Sequence, residues 1–140
     1  GDYAIVGARN DDDNGTDSGS VYIYERTSGN LWGNELKITA SDGAANDLFG
    51  SDVSISGDYV IVGARNDDDN GTDSGSVYIY ERASGNTWGN EFKITASDGA
   101  ANDLFGSAIS ISGDYAIVGA RRDDDNGTDS GSVYIYRISG

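Results

Sequence analysis

Short apolar runs, separated by polar loops rich in Gly, Asn, Asp and Ser, dominate this chain. Residues 59–62 (Tyr-Val-Ile-Val) are apolar throughout, as expected of a strand covered on both faces. Residues 77–80 (Val-Tyr-Ile-Tyr) alternate aliphatic and aromatic side chains, and residues 91–96 alternate charged and apolar ones, which suits an outer sheet edge. Residues 52–56 alternate aliphatic residues with Ser, which is small enough for a crowded inner position. No helical periodicity is present, so the pattern predicts an all-β fold.

These runs predict four strands, which we name by their expected place in a sheet: A (52–56), B (59–62), C (77–80) and D (91–96). Only Gly57 and Asp58 separate strands A and B, so the two form a hairpin. The grading from small inner residues to a charged outer strand is typical of a propeller blade of four antiparallel strands.

An internal repeat organises the whole chain. The tripeptide Gly-Asp-Tyr begins at residues 1, 57 and 113, a period of 56, so 140 residues hold 2.5 repeats. The array 1–140 therefore divides into repeat 1 (1–56), repeat 2 (57–112) and a half repeat (113–140). In chain order the strands are B C D, A B C D and A B C, so the first blade lacks strand A and the last lacks strand D. A period near 50 is typical of propellers and other repeat arrays.

Composition excludes several classes of function. Nine basic against 24 acidic side chains give a net charge of −15, which repels nucleic acids and anionic lipids. The absence of Cys, His and Met excludes disulfides, Cys/His zinc sites and catalysis by thiol or imidazole. No apolar run is long enough to insert into a membrane. We therefore expect a protein that is not an enzyme.

The repeat resembles a known family at three points: residues 48–51 (Leu-Phe-Gly-Ser), 61–64 (Ile-Val-Gly-Ala) and 75–80 (Gly-Ser-Val-Tyr-Ile-Tyr). These are similar to the FG-GAP repeat, which builds the seven-bladed propeller of integrin α subunits and many secreted microbial proteins. The resemblance covers essentially the whole chain and implies an extracellular or cell-surface protein with a binding or scaffold role. In two respects the chain departs from the family. Arg9, Arg65 and Arg121 replace the GAP proline, and the link from A to B is too short to wrap the calcium ion that integrin members hold there.

The loop from strand B to strand C carries the candidate chemistry. Residues 66–73 (Asn-Asp-Asp-Asp-Asn-Gly-Thr-Asp) place oxygen-bearing side chains at alternate positions before a Gly, a pattern that suits Ca²⁺. In the half repeat Arg122 replaces the first of these side chains, where it should repel a cation. The alternative is a solvated loop in which Asp and Asn side chains cap backbone N–H groups. The candidate calcium ligands are Asn10, Asp12, Asn14, Asn66, Asp68, Asn70, Asp124 and Asn126.

The loop from strand D to strand A is acidic too, with Asp42 and Asp47 in repeat 1. Connectivity places it at the same end of the blade as the B–C loop, so one face should collect Asp side chains. Each B–C loop also carries an Asn-Gly-Thr glycosylation sequon, and the sequence leaves open whether these are used. The sequon residues are Asn14, Asn70 and Asn126.

Incomplete outer blades suggest how the protein functions. Strand B of the first blade and strand C of the third lack neighbours, and unpaired strand edges with apolar faces need a cover. We expect a structural module that self-associates into a homo-oligomer or a fibre. The alternative is an adhesion or ligand-binding module of a larger closed FG-GAP propeller, with calcium as a candidate stabilising ion. The expected partners are therefore other copies of the chain or flanking repeats.

Overall fold

The computed structural model describes residues 2–139, which form ten antiparallel strands and no helix. None of the described residues thus belongs to a helix that could cross a membrane. The strands are β1 (Tyr3–Ala8), β2 (Ser20–Ser28), β3 (Leu31–Ile38), β4 (Phe49–Ser56), β5 (Tyr59–Ala64), β6 (Ser76–Ser84), β7 (Thr87–Ile94), β8 (Phe105–Ser112), β9 (Tyr115–Ala120) and β10 (Ser132–Arg137).

The strands form three sheets, which we call the first, second and third blades. Their strand orders are β1-β2-β3, β4-β5-β6-β7 and β8-β9-β10. The second blade is complete and runs A-B-C-D, as the sequence predicts. Among residues 2–139, β1 pairs only with β2, so it has no strand on its inner side, and β10 pairs only with β9, so it has no strand on its outer side. The chain is therefore an all-β array of propeller-type blades in which one complete blade lies between two partial ones.

The strand register follows the predicted hairpin. Ser56 lies opposite Tyr59, and Gly57 takes the left-handed backbone conformation (φ 55°) that a tight turn requires. The outer strand β7 differs from the expectation, because it begins at Thr87 rather than at residue 91. Register shifts on β6 allow the pairing to continue past the polar stretch, and Trp88 pairs with Arg82.

The core lies between the blades. Successive residues of a strand point to opposite faces, so Ile61 and Val62 of β5 are both buried but in different interfaces. Val62 belongs to the cluster between the first and second blades, with Val21 and Ile23 of β2. Ile61 belongs to the cluster between the second and third blades. This two-sided burial explains why the B strands are apolar throughout.

The Leu-Phe-Gly segments that begin the second and third blades bond to the blade before them. Phe105 is fully buried, lies edge-on to Tyr134 at 5.2 Å, and its backbone N donates to the carbonyl of Ser74 at 2.9 Å. A Cβ at Gly75 would lie 2.1 Å from the carbonyl oxygen of Phe105, and the φ of Gly75 is +87°. Gly is therefore required where the two backbones meet.

Candidate functional site

The acidic loops of neighbouring repeats meet at one end of the blades, as connectivity predicts. Asp42 from the β3–β4 loop comes together with Asp67 and Asp69 from the β5–β6 loop, with carboxylate oxygens within 4.8 Å of one another. We call these three the second-blade trio. The hydroxyl of Tyr78 donates to Asp42 at 2.7 Å and to Asp67 at 3.1 Å, which joins the two loops.

A lysine fills the second-blade trio. Lys93 of β7 places its Nζ 2.6 Å from Asp42, 2.9 Å from Asp67 and 2.6 Å from Asp69. Asp67 is buried, and a buried carboxylate needs such a partner. Burial lowers the pKa of Lys93, but its hydrogen bonds to the three carboxylates outweigh burial and raise that pKa above its usual range. For Asp42, burial raises the pKa, but the hydrogen bonds from Lys93 and Tyr78 outweigh burial, so the pKa of Asp42 is lowered.

The first blade repeats this arrangement in part. Lys37 of β3 bonds to Asp11 at 3.1 Å and also to Asp13, both in the β1–β2 loop. Hydrogen bonds from Lys37 hold the pKa of Asp11 below its usual value. In both blades a lysine of the outer strand thus forms ion pairs with aspartates of the acidic loop.

The third blade has the carboxylates without the cation. Asp98, Asp123 and Asp125 form the third-blade trio, again within 4.8 Å, and no Lys of residues 2–139 reaches it. The hydroxyl of Tyr134 donates to Asp98 at 2.7 Å and to Asp123 at 3.0 Å, nearly the distances found around Tyr78. The charges of Asp123 and Asp98 raise the pKa of Asp125. The site is thus assembled and carries uncompensated negative charge.

A glutamate two residues before each lysine is also held. The hydroxyl of Tyr80 donates to Glu91 at 2.7 Å, and the backbone N of Ser41 donates to the same carboxylate at 3.2 Å. In the first blade, the hydroxyl of Tyr24 donates to Glu35 at 2.9 Å. Each of the two outer strands therefore carries the sequence Glu-x-Lys. The side chains that bind this glutamate and this lysine lie on elements that precede the strand in the chain.

The predicted calcium ligands lie beside these trios. The clusters use Asp67 and Asp69, whereas the loop template selects Asn66, Asp68 and Asn70. Asp68 instead accepts a hydrogen bond from the backbone N of Asp73 at 2.8 Å. Two further predicted ligands cap their loops in the same way, as the alternative interpretation expects: Asp12 with Asp17, and Asp124 with Asp129.

The asparagines among the predicted ligands take part in hydrogen bonds of the loops, two through the side chain and three through the backbone amide. The side chain of Asn10 donates to Asp17 at 2.7 Å, and that of Asn70 donates to the carbonyl of Ala96 at 3.4 Å. The backbone amides of the other three donate within or between loops: Asn14 to Ser18, Asn66 to Asp47, and Asn126 to Ser130. Calcium binding by these eight residues stays a prediction. The acidic clusters of the second and third blades are groups that could bind a metal ion.

The arginine that replaces the GAP proline in the second blade is affected by its counterparts in the other two blades. Burial, together with the charges of Arg9 and Arg121, lowers the pKa of Arg65. The guanidinium of Arg65 thus feels the charges of its two counterparts in an otherwise strongly acidic chain.

Comparison with known proteins agrees with this architecture. The FG-GAP repeat profile matches residues 1–24, 32–80 and 88–136, which together cover most of the chain. A search of the curated proteins finds no match. The chain belongs to the FG-GAP repeat family, whose repeats build β-propeller-type modules.

Proposed function

We propose that this chain is a non-enzymatic structural module, extracellular or at the cell surface, that self-associates head to tail through the faces of its outer blades. The observation that carries the proposal is a contrast between equivalent residues of the repeat. On the third blade Ile117, Val133 and Ile135 are 46%, 66% and 68% exposed. The same three positions on the second blade are buried, with 0%, 0% and 8% exposure at Ile61, Val77 and Ile79.

The first blade presents the other half of this interface. Val6 is 51% exposed, while its equivalents Val62 and Val118 are fully buried against a preceding blade. The two exposed surfaces are therefore the two sides of the contact that already joins the blades within the chain. A contact between such different surfaces is heterologous, so it generates rings if the rotation closes and fibres if it does not. Covering both faces removes apolar area from water, the main driving force of association.

The molar mass in solution tests this proposal. We expect sedimentation velocity to show oligomers whose masses are multiples of 14.6 kDa and whose average size increases with protein concentration. The variant Ile135→Lys should shift the distribution toward the monomer, because it places a charge in the proposed contact. Leu31→Lys is the matched control, since Leu31 is 66% exposed on β3, a strand that carries none of the residues named for the proposed contact. A wild-type chain that stays a compact, cooperatively folding monomer at all concentrations contradicts the proposal.

The second candidate is an adhesion or ligand-binding module of a larger closed propeller, in which flanking repeats cover the same faces. It is supported by the equivalence of the two internal interfaces, each of which buries the same repeat positions. In that case the chain should be monomeric, and appending one further repeat with the sequence of residues 57–112 should raise its melting temperature. Self-association instead predicts oligomers before any repeat is added.

Calcium stabilisation belongs to this second candidate. Ammonium groups already neutralise acidic loops in the first and second blades, so a calcium ion would find its least contested oxygen ligands at the third-blade trio. A calcium-dependent rise in melting temperature that Asp125→Asn removes would place the ion there. Loss of that rise in Asp68→Asn instead would favour the ligands that the loop template predicts.

A further inference from the structure

Each of the three blades carries an arginine directly after its strand B. Strands β1, β5 and β9 are followed immediately by Arg9, Arg65 and Arg121. We call these three residues the arginine row. The row is a property of the repeat itself, because the position is basic in every copy, although acidic side chains outnumber basic ones by 24 to nine in the whole chain.

Backbone contacts between the blades bring the members of the row close together. A Cβ at Gly7 would lie 2.2 Å from the carbonyl oxygen of Gly50, and one at Gly63 would lie 2.3 Å from that of Gly106. Gly50 and Gly106 lie at the start of β4 and β8, which pair with β5 and β9 beside the row. Only one strand A thus separates successive arginines, so their backbones are about two strand spacings, or roughly 10 Å, apart. The long arginine side chains can bring neighbouring guanidinium groups to one ligand across that gap.

The arginine row has no counterion among residues 2–139. Two arginines and both lysines elsewhere in the chain form ion pairs with aspartates, whereas no member of the row does. The aspartates that lie two residues after the first two arginines are already engaged, since Asp11 pairs with Lys37 and Asp67 pairs with Lys93. The row therefore presents positive charge that these acidic loops leave uncompensated.

Arg65, in the middle of the row, is the member least exposed to water. Burial, followed by the charges of Arg9 and Arg121, lowers its pKa. Each of these causes disfavours the positive charge of Arg65. Like charges that are held near one another in a partly buried place are unfavourable, and a bound anion removes that cost.

We propose that the arginine row binds a compact tetrahedral oxyanion, a single phosphate or sulfate group, between Arg65 and the arginines on either side of it. A guanidinium group presents a planar fork of N–H donors that matches two oxygens of such an anion, and the remaining oxygens accept from a second guanidinium. The acidic loops that follow the row select a small ligand, because a chain of net charge −15 repels an extended polyanion. The site lies at the ends of the B strands rather than on the exposed blade faces, so the inference goes beyond the proposed function.

Calorimetric titration of the full chain tests this inference. The probes are inorganic phosphate and inorganic sulfate at neutral pH and constant ionic strength, with chloride as the control anion. We expect both oxyanions to bind more tightly than chloride, because a single halide ion cannot accept paired N–H bonds from one guanidinium. Glycerol 3-phosphate distinguishes the sources of the group: tighter binding than inorganic phosphate identifies a phosphate monoester as the ligand, and weaker binding identifies the free ion.

Variants of the protein locate the site. Arg65→Gln should weaken phosphate binding by at least about tenfold, because it removes the central charge-assisted hydrogen bonds. Arg26→Gln is the matched control, since it removes the same charge from an exposed ion pair with Asp2 and should leave the affinity unchanged. In buffer without oxyanions, Arg65→Gln should melt at a higher temperature than Arg26→Gln, because it relieves like-charge repulsion. Arg9→Gln, at an exposed position, gives a second test of binding should Arg65→Gln fail to fold.

Three results would overturn the inference: binding of phosphate and sulfate no tighter than that of chloride, equal loss of binding in Arg65→Gln and Arg26→Gln, or tighter binding of long-chain polyphosphate than of phosphate. The molar mass in solution reports on self-association separately. Oligomers that do not bind oxyanions refute only the arginine row as a site, and oxyanion binding by a chain that stays monomeric refutes only the self-association.

Discussion

Lys93→Met should destabilise the second blade, because it removes the ammonium group at the centre of three carboxylates. Methionine keeps most of the apolar stem of the lysine, so the change removes mainly charge. Asp67, whose side chain is 4% exposed, would then be left without its cation, while its bonds from Tyr78 and from the loop backbone stay in place. Repulsion among the three carboxylates adds to this cost.

The magnitude follows from how much of the site is shielded from water. Breaking a fully buried ion pair costs about 3–5 kcal/mol, whereas exposed pairs contribute about 0–1 kcal/mol. The site lies between these cases, since Asp42 and Asp69 are about half exposed (46% and 53%) and only Asp67 is buried. We therefore expect Lys93→Met to lower the free energy of unfolding by about 2 kcal/mol at neutral pH.

Urea unfolding as a function of pH measures this loss. Lysine stabilisation that comes from a raised pKa is complete below the ordinary value of 10.5 and disappears as the pH rises through the folded value. The lowered pKa of Asp42 gives stability that is present above 3.8 and lost as the pH falls through the folded value. The difference between wild type and Lys93→Met should thus be largest between these two pH values and shrink in acid.

Lys37→Met serves as the matched control for this prediction. Lys37 is more exposed than Lys93 and meets two carboxylates rather than three, so its removal should cost less. Equal losses in the two variants, or a loss for Lys93→Met that does not change with pH, would refute the electrostatic reasoning. High salt should reduce the cost of Lys37→Met more strongly, because exposed pairs are screened first.

Two further predictions concern other parts of the fold. Burial raises the pKa of Asp47 to about 6, so the stability of the wild-type protein should fall as the pH rises from about 4 to about 6. Asp47→Asn should flatten that dependence and stabilise the protein at neutral pH, and thermal unfolding as a function of pH measures both effects. Gly63→Ala should lower the free energy of unfolding, measured in urea, by about 3 kcal/mol or more, because the added Cβ would lie 2.3 Å from the carbonyl oxygen of Gly106. The control is the equivalent variant Gly119→Ala, whose Cβ would meet only Ala108, at 3.6 Å, and which should have little effect on unfolding.

Much of the fold could be predicted because the repeat encodes local patterns. The strand order A-B-C-D was predicted correctly from B strands that are apolar on both faces and from aromatic C strands. The short Gly57-Asp58 link correctly predicts the hairpin of strands A and B. The start of β7 could not be predicted, since it depends on register shifts opposite β6 rather than on alternation within its own sequence. The Arg82–Trp88 pair lies beyond such a shift.

The candidate site was harder to predict, because its members come from different blades. A template within one loop selects Asn66 and Asp68, but Asp68 accepts a hydrogen bond from the backbone N of Asp73, and Asp67 and Asp69 are the residues that meet Asp42. That meeting depends on how one blade packs on the next. One signal was present in the sequence: the chain has only two lysines, and both occupy the same position of the outer strand.

Cross-linking tests the central claim, head-to-tail association through the two outer faces, most directly. The chain has no cysteine of its own, so Val6→Cys and Ile135→Cys each introduce a single thiol on one exposed face. The two variants are mixed and treated with a short bismaleimide, and the products are separated by mass after labelling one variant. The account predicts cross-links between the two variants and few within either alone. Cross-links mainly between identical variants, or none above the level given by a pair with Leu31→Cys, would contradict it.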